Sequence, residues 1–308
     1  MAGHANAKTT GLYDRRTDDV SLDEVERIGT QGGSQLDKRV QPERRFQLMS
    51  IFVGEVLADG IVFAADKNIT ISKLDGQGNV VSTVQEPGSK ILRWPKRKAL
   101  LGYVGCGQVG GQTMQEWLYD FMGEHIEFTE PEVVANEMRD RLQSNLGGPG
   151  AAASIVQFAT FARREGHIVP EFWHITNIHG LTATGDYDPP SDSFIASERL
   201  LGVHLNQASP ANIRGCLRSC ANQFRPFWFH QGLDLAVFNT LSEAVRQAFV
   251  ALQGAGHLPP PQTLADWERH ARMLVLIYGA YFEAFGAPGQ RYVGGGADVL
   301  SIPWPQDL

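Results

Sequence analysis

The sequence predicts a layered α+β fold, in which antiparallel sheets pack together and helices cover the outside. Pairs of apolar runs rich in β-branched and aromatic residues, joined by short glycine-containing turns, indicate β-hairpins. Stretches whose apolar residues recur at helical spacing separate them. The order is strands, two helices, strands, two or more helices and a final strand, and helices placed after runs of hairpins are typical of this architecture.

The first hairpin, within residues 50–69, organises the chain. Its two apolar runs are bent back on each other around an Asp-Gly pair at 59–60, where glycine accepts the positive φ of a tight turn. The second run is apolar almost throughout, so we expect it to be buried on both faces. A hydroxyl, Ser50, precedes the first run, and the charged Asp66 ends the second.

The remaining strands follow the same composition. A second hairpin is predicted in 70–89, with glycine-rich turn signals between 75 and 79, and a third pairs 153–161 with 171–178. Further strands are predicted at 90–92, 99–104, 194–196 and within 294–302.

Helical periodicity marks the other regions. A first amphipathic helix is predicted from the spacing of Met114, Trp117, Leu118, Phe121 and Met122. Thr129, Pro131 and Glu132 supply an N-cap, an early proline and a capping box for a second helix packed beside it. Residues 210–252 are predicted to be helical with a break around 225–227, and an apolar helix begins at 263–266, after a proline-rich linker.

The composition excludes several classes of protein. With 308 residues, 43% hydrophobic, the chain can bury one sizeable core. A net charge of −7 argues against a nucleic-acid partner, which would favour a basic excess. No stretch approaches the roughly 20 apolar residues of a membrane span, and residues 1–30 lack the apolar core of a signal peptide. Three cysteines are too few for a disulfide framework, so we expect a cytoplasmic protein.

Three patterns suggest cofactors only weakly. Cys216 and Cys220 lie one helical turn apart without the two further ligands that zinc needs, and small apolar packing explains them. His174 and His179 have no carboxylate or thiol at ligand spacing. The run 105–110 fits G-x-G-x-x-G, but the neighbouring strands look antiparallel, whereas a nucleotide site needs a βαβ unit. We expect neither a cofactor nor a metal.

Residues 50–67, SIFVGEVLADGIVFAADK, resemble the opening of proteasome β-type subunits, which are N-terminal nucleophile (Ntn) hydrolases. In that family a Thr begins the first strand, V-G often follows, and D-G-V-hydrophobic-A-A-D closes the second strand. The likeness is dense over 50–110, and V-G-G-G-A-D-V-L-S-I is similar to the family's closing strand. It implies a four-layer αββα sandwich of two antiparallel sheets flanked by helices, here spanning 49–308 with a helical insertion near 210–262.

The resemblance also implies an active site. It places Ser50 in the nucleophile position, Asp66 in the acidic position and Lys90 in the lysine position, and Thr70 matches a later Thr. Gly105 corresponds to the glycine whose backbone N–H stabilises the oxyanion. The implied function is cleavage of peptide (amide) bonds in a peptide or protein substrate, by a homo-oligomeric ring or stacked assembly.

The α-amine of the first residue is the general base in Ntn chemistry, with a pKa of about 7.7–8.0 in model peptides. Ser50 must therefore be the first residue, and Met49 precedes it. Removal of methionine before a small residue is routine, so we expect the working protein to begin at Met49. Residues 1–48, polar with scattered apolar residues, are then a flexible extension, either a mis-assigned upstream segment or a propeptide.

Besides Ser50, which stands in the position of the family's Thr and lacks the methyl group that stiffens Thr at χ1, the match has three further departures. Asn68 replaces an arginine, 196–198 reads Ala-Ser-Glu in place of Gly-Ser-Gly, and the Asp-x-x-Ser support before the final glycines becomes Gln290 to Val293. Two alternatives therefore stand beside the hydrolase. One is a catalytically inactive structural subunit on the same fold. The other is an amide transferase or ligase, in which an amine rather than water resolves the acyl-enzyme.

Overall fold

The computed structural model describes residues 50–74, 80–125, 130–180, 188–224, 227–231, 235–285 and 293–306. The predicted extension 1–48 and Met49 lie outside this part of the chain, as do Thr129, Gln290 and the turn signals at 75–79. The strands are β1 (Phe52–Leu57), β2 (Gly60–Asp66), β3 (Asn68–Leu74), β4 (Val80–Pro87), β5 (Ile91–Trp94), β6 (Ala99–Gly105), β7 (Gln108–Val109), β8 (Gln112–Thr113), β9 (Ser154–Arg164), β10 (His167–Thr176), β11 (Ile195–Glu198), β12 (Phe227–Gln231) and β13 (Ala297–Pro303). The helices are α1 (Met114–Glu124), α2 (Pro131–Leu146), α3 (Ile213–Asn222), α4 (Leu235–Gly254) and α5 (Leu264–Phe285).

The fold is α+β with antiparallel sheets, as the order of elements predicts. One sheet has four strands in the order β12-β1-β2-β13, and the other has five in the order β11-β10-β9-β6-β5. All of their pairings are antiparallel. The three predicted hairpins are confirmed as β1-β2, β3-β4 and β9-β10. Every residue of β2 is buried, which confirms the expected burial of the second run on both faces, and every residue of β1 is buried as well.

The two larger sheets pack face to face through aromatic side chains. Phe52 of β1 and Phe63 of β2 meet edge to face with ring centroids 4.7 Å apart, and Phe63 meets Phe172 of β10 at 5.8 Å. All three rings are fully buried. Burial of each ring contributes roughly 1.5–3 kcal/mol to folding, so this cluster is the centre of the core.

The helices cover the outer face of each sheet. Trp117 and Phe121 of α1 and Met138 of α2 share an apolar cluster with residues of β6, β9 and β10. Trp267 and Tyr278 of α5 share another with residues of β1 and β2. The amphipathic helices predicted at 114–122 and from 263 onwards are thereby confirmed.

Two predictions are wrong in detail. Residues 227–231 form strand β12, which pairs with β1, within the segment 210–252 predicted to be helical. The aromatic run there favours a strand once β1 offers an edge to pair with. Glu130, rather than Thr129, is the N-cap of α2 and makes no side-chain capping bond.

Gly102 sets the spacing between the two sheets. A Cβ at this position of β6 would lie 2.3 Å from Cε2 of Phe52, inside van der Waals contact. We expect Gly102→Ala to lower the free energy of unfolding by about 1–3 kcal/mol, measured by chemical denaturation. Gly123→Ala in α1 is the matched control, because its Cβ would meet nothing within 4 Å and alanine favours a helix. Equal losses in both variants would contradict this explanation.

Candidate active site

Ser50 and Asp66 are brought together by the first hairpin. Ser50 lies two residues before β1, and Asp66 is the last residue of β2. The Ile51 N–H donates to Asp66 Oδ1 at 2.8 Å, and the Asp66 N–H donates to the Ile51 carbonyl at 3.2 Å. The carboxylate therefore holds the backbone directly after Ser50 in one position.

Lys90 reaches the same place from the other sheet. It directly precedes β5, and its Nζ donates to Ser50 Oγ at 2.9 Å and to Asp66 Oδ1 at 2.8 Å. Lys90 is 3% exposed, Asp66 0% and Ser50 9%. The structure thus brings the three predicted side chains together in one buried cluster. Ser50 and Lys90 meet there although they are 40 residues apart in the sequence.

The electrostatics of the cluster follow from burial. Desolvation lowers the pKa of Lys90, and the adjacent Asp66 carboxylate opposes this shift. Desolvation raises the pKa of Asp66, opposed by Lys90 and by the backbone N–H groups of Ile51 and Gly294. A buried pair with several hydrogen bonds is costly to break, because removal of either partner leaves the other uncompensated.

The glycine-rich segment before β13 completes the surroundings of Asp66. Gly294 accepts a hydrogen bond from the Lys67 N–H at 3.1 Å. Asn68, where the resemblance implies an arginine, donates its N–H to Asp66 Oδ2 at 3.3 Å. Val293, where the resemblance implies a supporting hydroxyl, is 4% exposed and belongs to the apolar cluster beneath α5. This side of the site therefore combines backbone groups and the apolar Val293 with the polar Asn68 side chain, whose Nδ2 a Cβ at Gly294 would meet at 3.2 Å.

Gly105 is joined to the cluster through strand pairing. It ends β6 with a φ of 97°, in the region that favours glycine. The Tyr103 N–H donates to the Lys90 carbonyl at 2.9 Å. N–H groups two residues apart on a strand point to the same edge, so the Gly105 N–H points to the edge on which Lys90 lies.

Two other residues from the resemblance lie elsewhere. Thr70 is in β3, opposite Gln85 of β4, and its side chain is outside the described part. Ser197 lies in β11, at one edge of the five-stranded sheet, whereas Lys90 borders β5 at the other edge. Four strand spacings amount to about 19 Å, so Ser197 lies apart from the cluster of Ser50, Asp66 and Lys90.

Among the described residues, Lys90 is the side chain placed to activate the Ser50 hydroxyl. Lys90 Nζ is the donor to Ser50 Oγ, and an ammonium in this role stabilises negative charge on the oxygen without accepting its proton. Asp66 uses Oδ1 for Lys90 and Ile51.

A second buried polar pair was not anticipated from the sequence. Glu55 of β1 and His270 of α5 lie 2.7 Å apart between Oε1 and Nδ1, and both are almost fully buried. The aromatic rings of Phe224, Trp267 and Phe249 surround His270. A lone glutamate within an apolar strand was the available signal, since a buried carboxylate needs a partner.

His174 belongs to a row of polar residues in the five-stranded sheet. Gln157 and Ser197 flank it on the neighbouring strands, and Gln157 Nε2 lies 3.4 Å from His174 Nδ1. Burial, aided by the Arg199 cation, lowers the pKa of His174 to about 3. The imidazole is therefore neutral at physiological pH.

This shift predicts an acid-sensitive contribution to stability. Between pH 6.5 and about 3, His174 is protonated in the unfolded chain but neutral in the folded chain. The free energy of unfolding should therefore fall with decreasing pH by up to about 1.4 kcal/mol per pH unit from this residue. His174→Gln should flatten the slope of stability against pH, and His257→Gln, at an exposed position, should not. Identical slopes would contradict the prediction.

Other kinds of site find less support in the geometry. The G-x-G-x-x-G run follows β6, which pairs antiparallel with both neighbours, so it is not part of a βαβ unit. Among the residues that the structure describes, no group of three or more His, Cys, Asp or Glu could hold a metal ion. None of the helices in the described ranges is both long and apolar enough to cross a bilayer.

No protein-family model matches the sequence, and no curated protein matches it significantly.

Proposed function

We propose that this protein is a proteasome-like Ntn hydrolase that cleaves amide bonds with Ser50 as its N-terminal nucleophile, after removal of the residues up to Met49. The observation that carries the proposal is the position of Lys90 Nζ, 2.9 Å from Ser50 Oγ and 2.8 Å from Asp66 Oδ1 in a buried cluster. A hydroxyl that accepts a hydrogen bond from a buried lysine at the start of a strand is positioned to act as a nucleophile.

The reaction begins with the neutral α-amine of Ser50, which takes the Oγ proton while Oγ attacks the carbonyl carbon of the substrate. Lys90 stabilises the developing alkoxide, and Asp66 orients the ammonium. The Gly105 N–H donates to the oxyanion, an effect worth about 2.7–4 kcal/mol per donor. The protonated α-amine then gives its proton to the leaving amine, and an ester on Oγ remains. Water, deprotonated by the same amine, hydrolyses this ester and releases the acid.

The architecture supports the same proposal. Two antiparallel sheets pack through Phe52, Phe63 and Phe172, and helices pack on their outer faces. This is the stacking expected of the four-layer αββα sandwich of Ntn hydrolases. We further propose a peptide or protein substrate, a homo-oligomeric ring or stacked assembly, and a cytoplasmic setting, in keeping with three free cysteines.

Covalent labelling tests the nucleophile. Protein released from a cleavable fusion so that Ser50 is its first residue is incubated with a β-lactone and analysed by mass spectrometry. We expect one adduct on the N-terminal peptide, none in Ser50→Ala, and an undiminished adduct in Ser89→Ala, where the hydroxyl only donates to the Ile91 carbonyl. A folded protein beginning at Ser50 that takes up no adduct would refute the hydrolase.

One observation favours a catalytically inactive structural subunit as the second candidate. Val293 packs in an apolar cluster where the family's active members carry a hydroxyl near the α-amine. An inactive subunit needs no reactive Ser50, so the labelling experiment separates the two candidates. An amide transferase would also label, and added amine acceptors would then divert the acyl group from water.

A further inference from the structure

A groove lies at the end of the sandwich away from the candidate active site. Arg163 near the end of β9, Trp304 directly after β13 and Arg214 in the first turn of α3 line it. Its volume is about 640 Å³, within the range of sites for small molecules. Ser154 pairs with Gly105 at the active-site end of β9, and Arg163, nine residues further along this strand, lies about 30 Å away. The groove is therefore separate from the candidate active site.

Arg214 is held in place without the use of its outer edge. Its guanidinium lies over the Trp304 ring, 4.9 Å from the centroid, and its Nε donates to the Ala58 carbonyl at 2.8 Å. Asp59 Oδ1 lies 4.0 Å from Nη2, beyond hydrogen-bond distance. Within the described part of the chain, the two Nη groups therefore have no hydrogen-bond acceptor. The side chain is 49% exposed, so a ligand can reach this planar pair of donors.

Arg163 adds a second guanidinium to the lining. Its Nη1 donates to the Gly166 carbonyl at 3.3 Å, which keeps the side chain beside the turn between β9 and β10. No carboxylate is found among the described residues that line the groove. In a chain with a net charge of −7, a concave site lined by two arginines and no acid is a local region of positive potential that attracts anions.

Apolar side chains line the rest of the groove. Ile168, Pro210 and Pro305 lie there with Trp304, and Phe161 packs against the Trp304 ring with centroids 5.2 Å apart. A simple inorganic ion would contact the arginines and leave these apolar surfaces in water. An organic anion would bury its apolar body against them, which adds a hydrophobic contribution to binding.

We propose that this groove binds a small organic anion, with its oxyanion group on Arg214 and Arg163 and its apolar body against Trp304 and the neighbouring prolines. The oxyanion is a carboxylate or a phosphate, because the planar guanidinium matches two oxygens of either group. The inference goes beyond the proposed function and does not depend on Ser50 being reactive.

Saturation-transfer NMR, which observes the ligand and works for an assembly of any size, tests the proposal on the full chain. The probes are benzoate, phenyl phosphate and benzyl alcohol, which share an aromatic ring and differ in the head group. We expect at least one of the two anions to bind, and the tighter of them identifies the head group. Benzyl alcohol should bind about tenfold more weakly or worse, since it makes no charge-assisted hydrogen bond. Acetate and inorganic phosphate, which lack the ring, should each bind more weakly than the matching aromatic anion.

Variants locate the bound anion. Arg214→Gln should weaken its binding about tenfold or more, and Arg163→Gln should weaken it as well, which keeps the test decisive if one variant fails to fold. Arg218→Gln is the matched control, because Arg218 is exposed one turn further along α3 and does not line the groove. Its affinity should equal that of the parent.

Four results would overturn the proposal. They are the binding of neither aromatic anion, equal affinity for benzyl alcohol, undiminished affinity in Arg214→Gln and Arg163→Gln, and slower β-lactone labelling of Ser50 in the presence of the anion. The last result would place the anion at the candidate active site. Failure of Ser50 to label at all would refute the hydrolase and leave the affinities measured at the groove unchanged.

Discussion

Replacement of Lys90 by methionine is expected to reduce the labelling rate of Ser50 by a factor of about 10²–10⁴. Lys90 is the one described side chain that donates to both Ser50 Oγ and Asp66 Oδ1. Without the ammonium, the alkoxide that attacks the carbonyl forms next to an uncompensated Asp66 carboxylate. The variant should also unfold more easily, by about 3–5 kcal/mol, because Asp66 remains buried without its partner.

Lys67→Met is the matched control for this loss. Lys67 is 40% exposed and pairs with Asp298 at 2.9 Å on the surface, so its removal should cost at most about 1 kcal/mol. The labelling rate should stay at the parent value. Both rates are measured as the appearance of β-lactone adduct at temperatures where circular dichroism shows each variant folded, which separates lost reactivity from lost structure.

Lys90→Met/Asp66→Asn distinguishes a catalytic role from a structural one. It removes both charges together, so much of the stability lost in Lys90→Met should return, while the labelling rate should stay low. Recovery of labelling together with stability would show that Lys90 supports the fold and contributes nothing to the nucleophile.

The residues of the site could be predicted from the sequence because they border short, strongly patterned strands. The sequence predicts the apolar hairpin that ends in Asp66, but the observed register pairs Leu57 with Gly60 and Phe52 with Ala65, so the turn is Ala58-Asp59 and lies one residue before the predicted Asp-Gly pair. The approach of Lys90 depends on packing between two sheets. Only the resemblance suggested it, since spacing along the chain carries no information about which sheet faces pair.

Other features escaped prediction for physical reasons. Strand β12 exists because β1 offers an edge, and propensity within 227–231 cannot reveal that partner. The link between Glu55 and His270 spans 215 residues, so neither residue shows its partner locally. The position of β11, which carries Ser197, at the sheet edge likewise depends on pairing order, which no local pattern reveals.

Replacement of either partner of the Glu55–His270 pair, by Glu55→Leu or by His270→Phe, is expected to lower the free energy of unfolding by about 3–5 kcal/mol. Each leaves the other polar group buried under α5 without its 2.7 Å contact. His270→Phe keeps an aromatic ring at the position that Phe224, Trp267 and Phe249 surround. The expected loss of stability in this variant is therefore due to the unpaired Glu55 carboxylate rather than to poorer packing.

The double variant Glu55→Leu/His270→Phe should be close to the parent in stability, because apolar residues of similar volume often replace a buried polar pair without net cost. Urea denaturation of the four proteins gives the coupling free energy directly. The Ser50 labelling rate should be the same in the parent and the double variant, since the pair lies on the face of β1 that packs against α5 and makes no contact with Lys90 in the described residues. A double variant whose loss of stability equals the sum of the two single losses would show that the two residues stabilise the fold independently. A loss of labelling with stability intact would instead extend the active site to the helix layer.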